Sequence, residues 1–282
     1  MPRKLVYLFG NPVEHSISPH MHNAAYKKLN IDFEYIARQI NGDDLRKAVE
    51  SLKLPDVAGS NITVPYKEKI MPLLDNIDEQ AKLIGAVNTV VNKNGQLYGS
   101  NTDYLGFIDS LKNDGGIIPA GKKVLILGAG GGARAVAVGL CQNAVGSLFI
   151  FDVEAEKAEK LSNGLKKNFK TSINTAGSAE EIQELVNNMD ILVNSTPVGM
   201  FPLEEFSPID ESIKLPKKMF VYDLVYNPSQ TSLVKKAKAS GAKAVTGLGM
   251  LVRQGAASFK LFTGYDAPVD IMMKAAQKAL QL

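Results

Sequence analysis

Along the first hundred residues, apolar positions gather in short runs rich in β-branched and aromatic side chains, at 5–9, 34–40 and 58–64. Between them, at 22–29 and 43–52, apolar positions recur every three to four residues. The first pattern predicts strands and the second amphipathic helices, which together make an α/β unit. Asn94-Gly95 lies between apolar runs at 87–91 and 96–98, and it predicts a tight hairpin because both residues tolerate the positive φ such a turn needs. A second unit is expected beyond the Gly115-Gly116 and Pro119-Ala120-Gly121 punctuation, where 123–127 reads as a strand buried on both faces. Further strand-like runs at 148–151, 171–174, 191–194, 220–224 and 242–245 mostly alternate with helical patterns, among them 155–165, 179–189 and 232–240. That spacing suits crossover helices of a doubly wound parallel sheet. The tail, 250–262 and 269–282, is helical with no strand after it, and it is expected to return to the first domain. The predicted class is therefore α/β with two domains, divided as 1–110, 111–247 and the returning helices 248–282.

Composition narrows the class without changing the architecture. A chain of 282 residues, at ~100 to 200 residues per domain, has room for two domains. With 45% hydrophobic and 22% charged residues it should fold. Against 29 acidic residues stand 32 Lys and Arg, a net charge of +3 with no basic block longer than a pair. The electrostatic footprint of a nucleic-acid binder is missing, and small anionic ligands are the expected partners. A lone cysteine, Cys141, forms no internal disulfide and suits a reducing cytoplasm. The uncharged stretch 135–151 contains Gly, Gln, Asn and Ser and falls short of the ~20 apolar residues of a membrane span. The first residues carry too short an apolar run for a secretory signal, so a cytoplasmic location without membrane contact is expected.

Candidate chemistry begins with V-L-I-L-G-A-G-G-G-A-R-A, which puts Gly128, Gly130 and Ala133 in G-x-G-x-x-G/A spacing after a predicted strand and before an apolar helix. The first glycine permits a tight turn, the second lets the backbone approach a pyrophosphate, and the small third residue lets helix and strand pack closely. A helix N-terminus then faces the phosphates. The strand, turn, helix and next strand are all in place, so dinucleotide binding in a Rossmann-like domain is expected. No Walker lysine follows the turn, which argues against an ATP-type loop. Asp152, at the end of the next strand, is placed to accept hydrogen bonds from adenosine ribose hydroxyls and to repel a 2′-phosphate. Its other reading is the cap of a helix beginning near Glu154. No cation appears between Asp152 and Glu156, so NAD is favoured over NADP, with Arg134 as the residue that could serve a phosphate.

In the first half, H-S-I-S-P-H-M-H-N holds all three histidines. His20 and His22 are two apart and point in different directions on a helix, with no acidic or cysteine partner near, so no metal is expected. N-I-T-V-P-Y-K presents Asn61, Thr63 and Lys67 at a strand end, A-V-N-T supplies Asn88, and G-S-N-T-D-Y-L-G supplies Asn101 and Asp103. Such neutral hydrogen-bond formers suit a polyhydroxylated substrate, and one lysine with one carboxylate suits proton transfer. Each residue alone also has a bland reading: a solvated lysine, a capping aspartate, serines that cap a helix.

Together S-x-S-P-x-x-H-N, N-x-T-x-P-x-K, A-V-N-T, G-x-N-T-D-x-x-G, G-A-G-G-G-A-R-A and G-L-G-M-L-V-R-Q-G-A, in this order along nearly the whole chain, resemble the shikimate dehydrogenase family, including its quinate/shikimate branch. The resemblance implies a substrate domain built from the N-terminal part plus the final helices, a central dinucleotide domain and a cleft between them. It implies reversible hydride transfer between a nicotinamide and 3-dehydroshikimate, giving shikimate. Lys67 and Asp103 would be the catalytic pair. Ser16 and Ser18 would hold the substrate carboxylate, and Thr63, Asn88, Asp103 and Gln254 substrate oxygens, with Tyr226 facing the substrate. Gly128, Ala129, Gly130, Gly131, Gly132, Ala133, Arg134, Asp152, Gly247 and Met250 would line the cofactor. NADP-using members commonly carry Asn-Arg-Thr where this chain has Asp152-Val153-Glu154, which again favours NAD and keeps quinate open as a second substrate. A methylene-tetrahydrofolate dehydrogenase would share the two-domain shape and a lysine, but not the S-x-S-P and Asp103 motifs. A non-catalytic ligand sensor on the same fold would have no use for a proton donor. A homodimer is compatible with the sequence.

Overall fold

The computed structural model describes residues 3–281. The chain forms two compact units, one of Met1–Gly106 with Leu251–Leu282 and one of Phe107–Met250.

The first unit carries a six-stranded mixed sheet, β1 (Lys4–Gly10), β2 (Phe33–Gln39), β3 (Val57–Ile62), β4 (Asn76–Ile77), β5 (Thr89–Lys93) and β6 (Gln96–Ser100), in the order β2-β1-β3-β5-β6-β4. β1 pairs in parallel with β2 and β3, and β5 runs antiparallel to β3 and β6. The β5–β6 hairpin turns on Asn94 and Gly95, at φ 55° and 86°, the left-handed values that this dipeptide was expected to supply. Three helices interleave: α1 (Ser18–Leu29), α2 (Leu45–Ser51) and α3 (Glu79–Ile84). Pro19 opens α1 at its first turn and left-handed Asn30 closes it. The Asp78 side chain caps α3 by accepting from the Ala81 N–H. Phe9, Ile62, Tyr66, Val87, Val90 and Leu97 share one buried core.

The second unit is a parallel sheet of β7 (Lys123–Leu127), β8 (Ser147–Phe151), β9 (Ser172–Thr175), β10 (Ile191–Asn194), β11 (Phe220–Asp223) and β12 (Lys243–Thr246), ordered β12-β11-β10-β7-β8-β9. The order reverses between β7 and β10, so the carboxyl ends of these two strands form the switch point at which open α/β sheets bind ligands. α5 (Gly131–Gln142), α6 (Ala155–Lys166), α7 (Ala179–Val186) and α8 (Ser232–Ala239) make the crossovers. No helix joins β10 to β11, where Pro197, Pro202, Pro208 and Pro216 interrupt the chain. Most strand and helix ends move by one or two residues from the expected ones; α1 begins four residues before the expected 22, at Ser18, where Pro19 opens its first turn, and α7 stops before Asn187-Asn188, both poor helix formers.

The chain passes between the units within α4 (Asp103–Asn113) and again within α9 (Leu248–Thr263). α10 (Val269–Ala279) then packs on α1. Among the described residues no helix is long and apolar enough to cross a membrane.

Candidate functional site

In the first unit, the turn after β3 places Lys67, the residue before β5 is Asn88, and α4 opens on Asp103. Lys67 Nζ lies 2.6 Å from Asp103 Oδ2. Asp103 Oδ1 accepts from Asn88 Nδ2 at 2.8 Å, so the carboxylate is spent on these two side chains and not on capping the helix it begins. The Asp103 N–H donates to Asn101 Oδ1 at 2.9 Å, and Asn101 Nδ2 donates to the Ala86 carbonyl at 2.9 Å. Asn101 thus pins the start of α4 to the segment leading into β5.

Asn88 is itself held. Its Oδ1 accepts the Thr102 N–H at 2.8 Å and the Thr89 hydroxyl at 2.8 Å. A main-chain N–H can only donate, so this bond fixes which way the amide points and turns Nδ2 toward Asp103. Nδ2 also reaches Thr102 Oγ1 at 3.0 Å and Gln254 Oε1 at 3.3 Å. Ser258, one turn beyond Gln254 on α9, brings its hydroxyl within 2.8 Å of Thr89 Oγ1 and 3.0 Å of Thr102 Oγ1, and it accepts from Asn61 Nδ2 at 2.9 Å. All of these but Gln254 are buried, and the network is closed, as buried polar groups require.

Ser16 and Ser18 stand at the start of α1, with the Ser18 N–H donating to Ser16 Oγ at 3.3 Å. Thr63 follows β3, its N–H donating to the Phe9 carbonyl at the end of β1. A Cβ on Gly10 would come 2.3 Å from Thr63 Cγ2, so that close approach requires glycine.

In the second unit, Gly128 follows β7 at φ +100°, where a side chain would also collide with Ser195. Gly130 caps α5, and a Cβ on Gly130 or Gly131 would meet nothing within 4 Å. Ala133 is fully buried at the helix–sheet contact, and Gly132 and Arg134 lie in the same first turn of α5. Asp152, just past β8, accepts the Ala129 N–H on Oδ2 at 2.7 Å and the Glu154 N–H on Oδ1 at 2.9 Å. It therefore both ties down the glycine turn and stabilises the entry to α6. Val153 beside it is 89% exposed. Open space at the second glycine, a helix N-terminus and an accepting carboxylate at the next strand end form a set of groups that fits a dinucleotide.

At the ends of β10 and β11, buried Asp223 accepts from Asn194 Nδ2 at 2.9 Å and Thr231 Oγ1 at 2.6 Å. Burial pushes its carboxyl above the ordinary range against these bonds. Tyr226 is half-buried, with its hydroxyl raised by burial, and Met250 is buried. Gly247 lies so close to Leu224 that a Cβ would come 2.0 Å from its carbonyl oxygen; packing alone requires glycine there. Lys67, Asp103, Asn88 and Gln254 are thus brought together, Ser16 and Ser18 meet at the start of α1 in the same unit, and the glycine turn meets Asp152 in the second. The sequence reading left out Thr89, Thr102 and Ser258. Thr89 and Thr102 sit inside the A-V-N-T and N-T-D runs, whereas nothing around Ser258 signals its part. Among the described residues no group of histidine, cysteine and carboxylate side chains is arranged to hold a metal.

Family models match three stretches: the shikimate dehydrogenase substrate-binding domain at residues 8–90, shikimate/quinate 5-dehydrogenase at 117–228 and the shikimate 5′-dehydrogenase C-terminal domain at 247–277. A shikimate dehydrogenase (NADP(+)) of Alkaliphilus metalliredigens is 43% identical over 273 residues, covering 96% of this chain and 95% of the relative. The crystal structure of a Listeria monocytogenes shikimate 5-dehydrogenase in complex with shikimate and NAD superposes with a TM-score of 0.90 at 33% identity, covering 96% of each chain. A quinate dehydrogenase from Corynebacterium glutamicum in complex with NAD gives 0.89 at 32% identity, covering 97% of this chain and 98% of the other.

Proposed function

The chain belongs to the shikimate dehydrogenase family, and from that premise we propose that it is a nicotinamide-dependent oxidoreductase that reversibly reduces 3-dehydroshikimate to shikimate, with Lys67 and Asp103 as its catalytic pair. The observation that carries this reading is the 2.6 Å contact between Lys67 Nζ and Asp103 Oδ2, backed by Asn88. The glycine turn, the start of α5 and Asp152 would hold the dinucleotide in the second unit, and its nicotinamide would supply the hydride or take it up. In the reducing direction the substrate carbonyl oxygen gains negative charge; the Lys67 ammonium stabilises that charge and delivers the proton. Asp103 holds the ammonium in place, and Asn88 holds Asp103. Ser16 and Ser18 take the substrate carboxylate, and Thr63 and Gln254 take hydroxyls. The 3.3 Å contact with Gln254 is the longest of the three bonds that Asn88 Nδ2 donates, and it is the one that a substrate hydroxyl replaces.

The preferred cofactor is NAD. Similar proteins point both ways: the curated relatives are named for NADP(+) and two similar structures hold NADP, whereas two others were solved with NAD. Asp152 supports it: a carboxylate favours ribose hydroxyls and repels a phosphate. The nearest cation along the chain, Lys157, is paired with Glu154. The quinate dehydrogenase among the similar structures makes quinate the second substrate to test. Steady-state kinetics with shikimate and quinate, each with NAD and NADP, test all of this. Turnover of shikimate with NAD at the highest kcat/KM is expected; no shikimate oxidation with either cofactor would overturn the reading.

A further inference from the structure

Three buried hydroxyls behind Asp103 come from three separate stretches of the chain: Thr89 opens β5, Thr102 precedes α4, and Ser258 lies one turn beyond Gln254 on α9. Their contacts close on themselves through the Asn88 side chain, and each proton has a place that the others dictate. The Thr102 N–H fixes which end of the Asn88 amide is oxygen, and an amide oxygen only accepts, so the 2.8 Å bond from Thr89 Oγ1 to Asn88 Oδ1 spends the single Thr89 proton. The 2.8 Å contact between Thr89 and Ser258 still needs a proton, and Ser258 supplies it in preference to its longer 3.1 Å contact with the Gln254 carbonyl. With the Ser258 proton spent, Thr102 is the donor in their 3.0 Å contact. Thr102 Oγ1 in turn accepts from Asn88 Nδ2 at 3.0 Å. The bonds therefore run one way round a ring, from Asn88 Nδ2 to Thr102, Ser258, Thr89 and back to Asn88 Oδ1.

In such a ring every donor is also an acceptor, and the bonds polarise and strengthen one another. Its members are no more than 2% exposed, so bulk water does not compete for them. Asn61, whose Oδ1 takes the Tyr35 hydroxyl at 2.9 Å, donates from Nδ2 to Ser258 and Thr89 at 2.9 and 3.1 Å. Ser258 thus uses its proton on Thr89 and its two lone pairs on Thr102 and Asn61, which leaves it fully satisfied in one orientation. The ring has one outlet: Asn88 Nδ2 also donates to Asp103 Oδ1 at 2.8 Å, leaving Oδ2 to Lys67. Without the Ser258 hydroxyl, Thr89 loses its shortest donor, and the Thr102 hydroxyl keeps only acceptors at 3.3 Å or more.

We propose that Ser258 is a positioning residue for the catalytic pair, its hydroxyl closing the ring that aims the Asn88 amide at Asp103. The proposal rests on the reading of Lys67 and Asp103 as that pair, with Asn88 holding the carboxylate. The test compares wild type, Ser258→Ala, Thr89→Val, Asn88→Ala and the double variants of Ser258→Ala with each of the other two in shikimate oxidation, with the Tm of each. Ser258→Ala and Thr89→Val each delete a ring hydroxyl with little change of shape, from two different elements. Each should lower kcat about five- to tenfold, the scale of one uncharged hydrogen bond, with KM for shikimate changed by less than about twofold, because Ser16, Ser18 and Thr63 lie outside the ring. Both break the same ring, so the Ser258→Ala/Thr89→Val protein should be no slower than the slower single variant, and Ser258→Ala should add nothing to Asn88→Ala. A near-native kcat in folded Ser258→Ala beside a slow Asn88→Ala, or losses that multiply in either double variant, would overturn the proposal while leaving the catalytic pair intact. A lower Tm and a raised KM with kcat unmoved would reduce Ser258 to a fastening of α9 and overturn it as well. If Asn88→Ala itself leaves kcat unmoved, the reading of Asn88 fails and takes the proposal with it.

Discussion

Lys67→Ala tests the centre of the mechanism. The ammonium sits 2.6 Å from Asp103 Oδ2, with its side chain 21% exposed and that of the aspartate 8%. An ammonium about 3 Å from an oxygen taking up one negative charge gains about 5 kcal/mol at an effective dielectric constant of ~20, and about 3 kcal/mol at ~40. Water reaches the lysine end of the pair, which selects the lower part of that range. At ~1.4 kcal/mol per decade, kcat should fall about 10²- to 10³-fold, the scale of positioned acid–base help. The assay is the absorbance of reduced nicotinamide in both directions, with cofactor affinity measured separately by fluorescence. That affinity should hold, because the glycine turn and Asp152 belong to the other unit. Since the pair acts together, Lys67→Ala/Asp103→Asn should be about as slow as the slower single variant. Near-native kcat in a folded Lys67→Ala protein, or losses that multiply in the double variant, would refute the assignment.

Ser16→Ala should mainly raise KM for shikimate, through lost binding common to ground and transition states; a fall in kcat at unchanged KM would count against its carboxylate role. Replacing Asp152 and Val153 by Asn and Arg should move the NADP/NAD ratio of kcat/KM upward by at least about tenfold, by removing a repulsive group and adding a phosphate partner. Wild-type protein that uses NADP with the higher kcat/KM would show Asp152 to be misread. His22, with a folded-state pKa of about 3, lies below the ~6.5 of an unfolded chain, so the unfolded state binds a proton first as pH drops. Its share of stability is complete above ~6.5 and is lost toward about 3, at up to about 1.4 kcal/mol per pH unit. His22→Phe should therefore lose less stability than wild type in urea titrations between neutral pH and about pH 4; equal acid slopes would contradict the buried neutral imidazole.

The two periodicities made most of the fold legible. Residues 123–127 and 191–194 are strands with the ends expected of them, because both are continuous apolar runs with nothing else to become. β4, two residues long, and α3 left no periodic signal; what makes them is the Asp78 cap and pairing with β6. The connection from β10 to β11 lacks a helix because prolines interrupt it, and that was written in the sequence but unread. In the site, the sequence singled out Lys67, Asn88 and Asp103, which do come together, whereas the residues that orient them left no signal. Ser258 is one serine among many until α9 brings it beside Thr89 and Thr102. Tyr35 reads as an ordinary strand aromatic until α1 closes over it.

The orienting residues explain why the motifs contain what they contain. In N-T-D, Asn101 accepts from the Asp103 main chain, the Thr102 N–H sets the Asn88 amide, and Asp103 receives that amide, so three consecutive residues direct one carboxylate. In A-V-N-T, Asn88 carries the bond to Asp103 and Thr89 donates to its other end. Both amide orientations in this chain of bonds are traceable to main-chain groups that cannot reverse: the Thr102 N–H behind Asn88, and the Asn88 carbonyl, which accepts from Asn61 Nδ2 at 3.1 Å, behind Asn61. Hydroxyls in between rotate freely and transmit whichever polarity the fixed ends impose. A site wired in this way holds Lys67 and Asp103 in one arrangement before substrate arrives, and the cost of reorganising polar groups is met at folding and not at the moment of proton transfer.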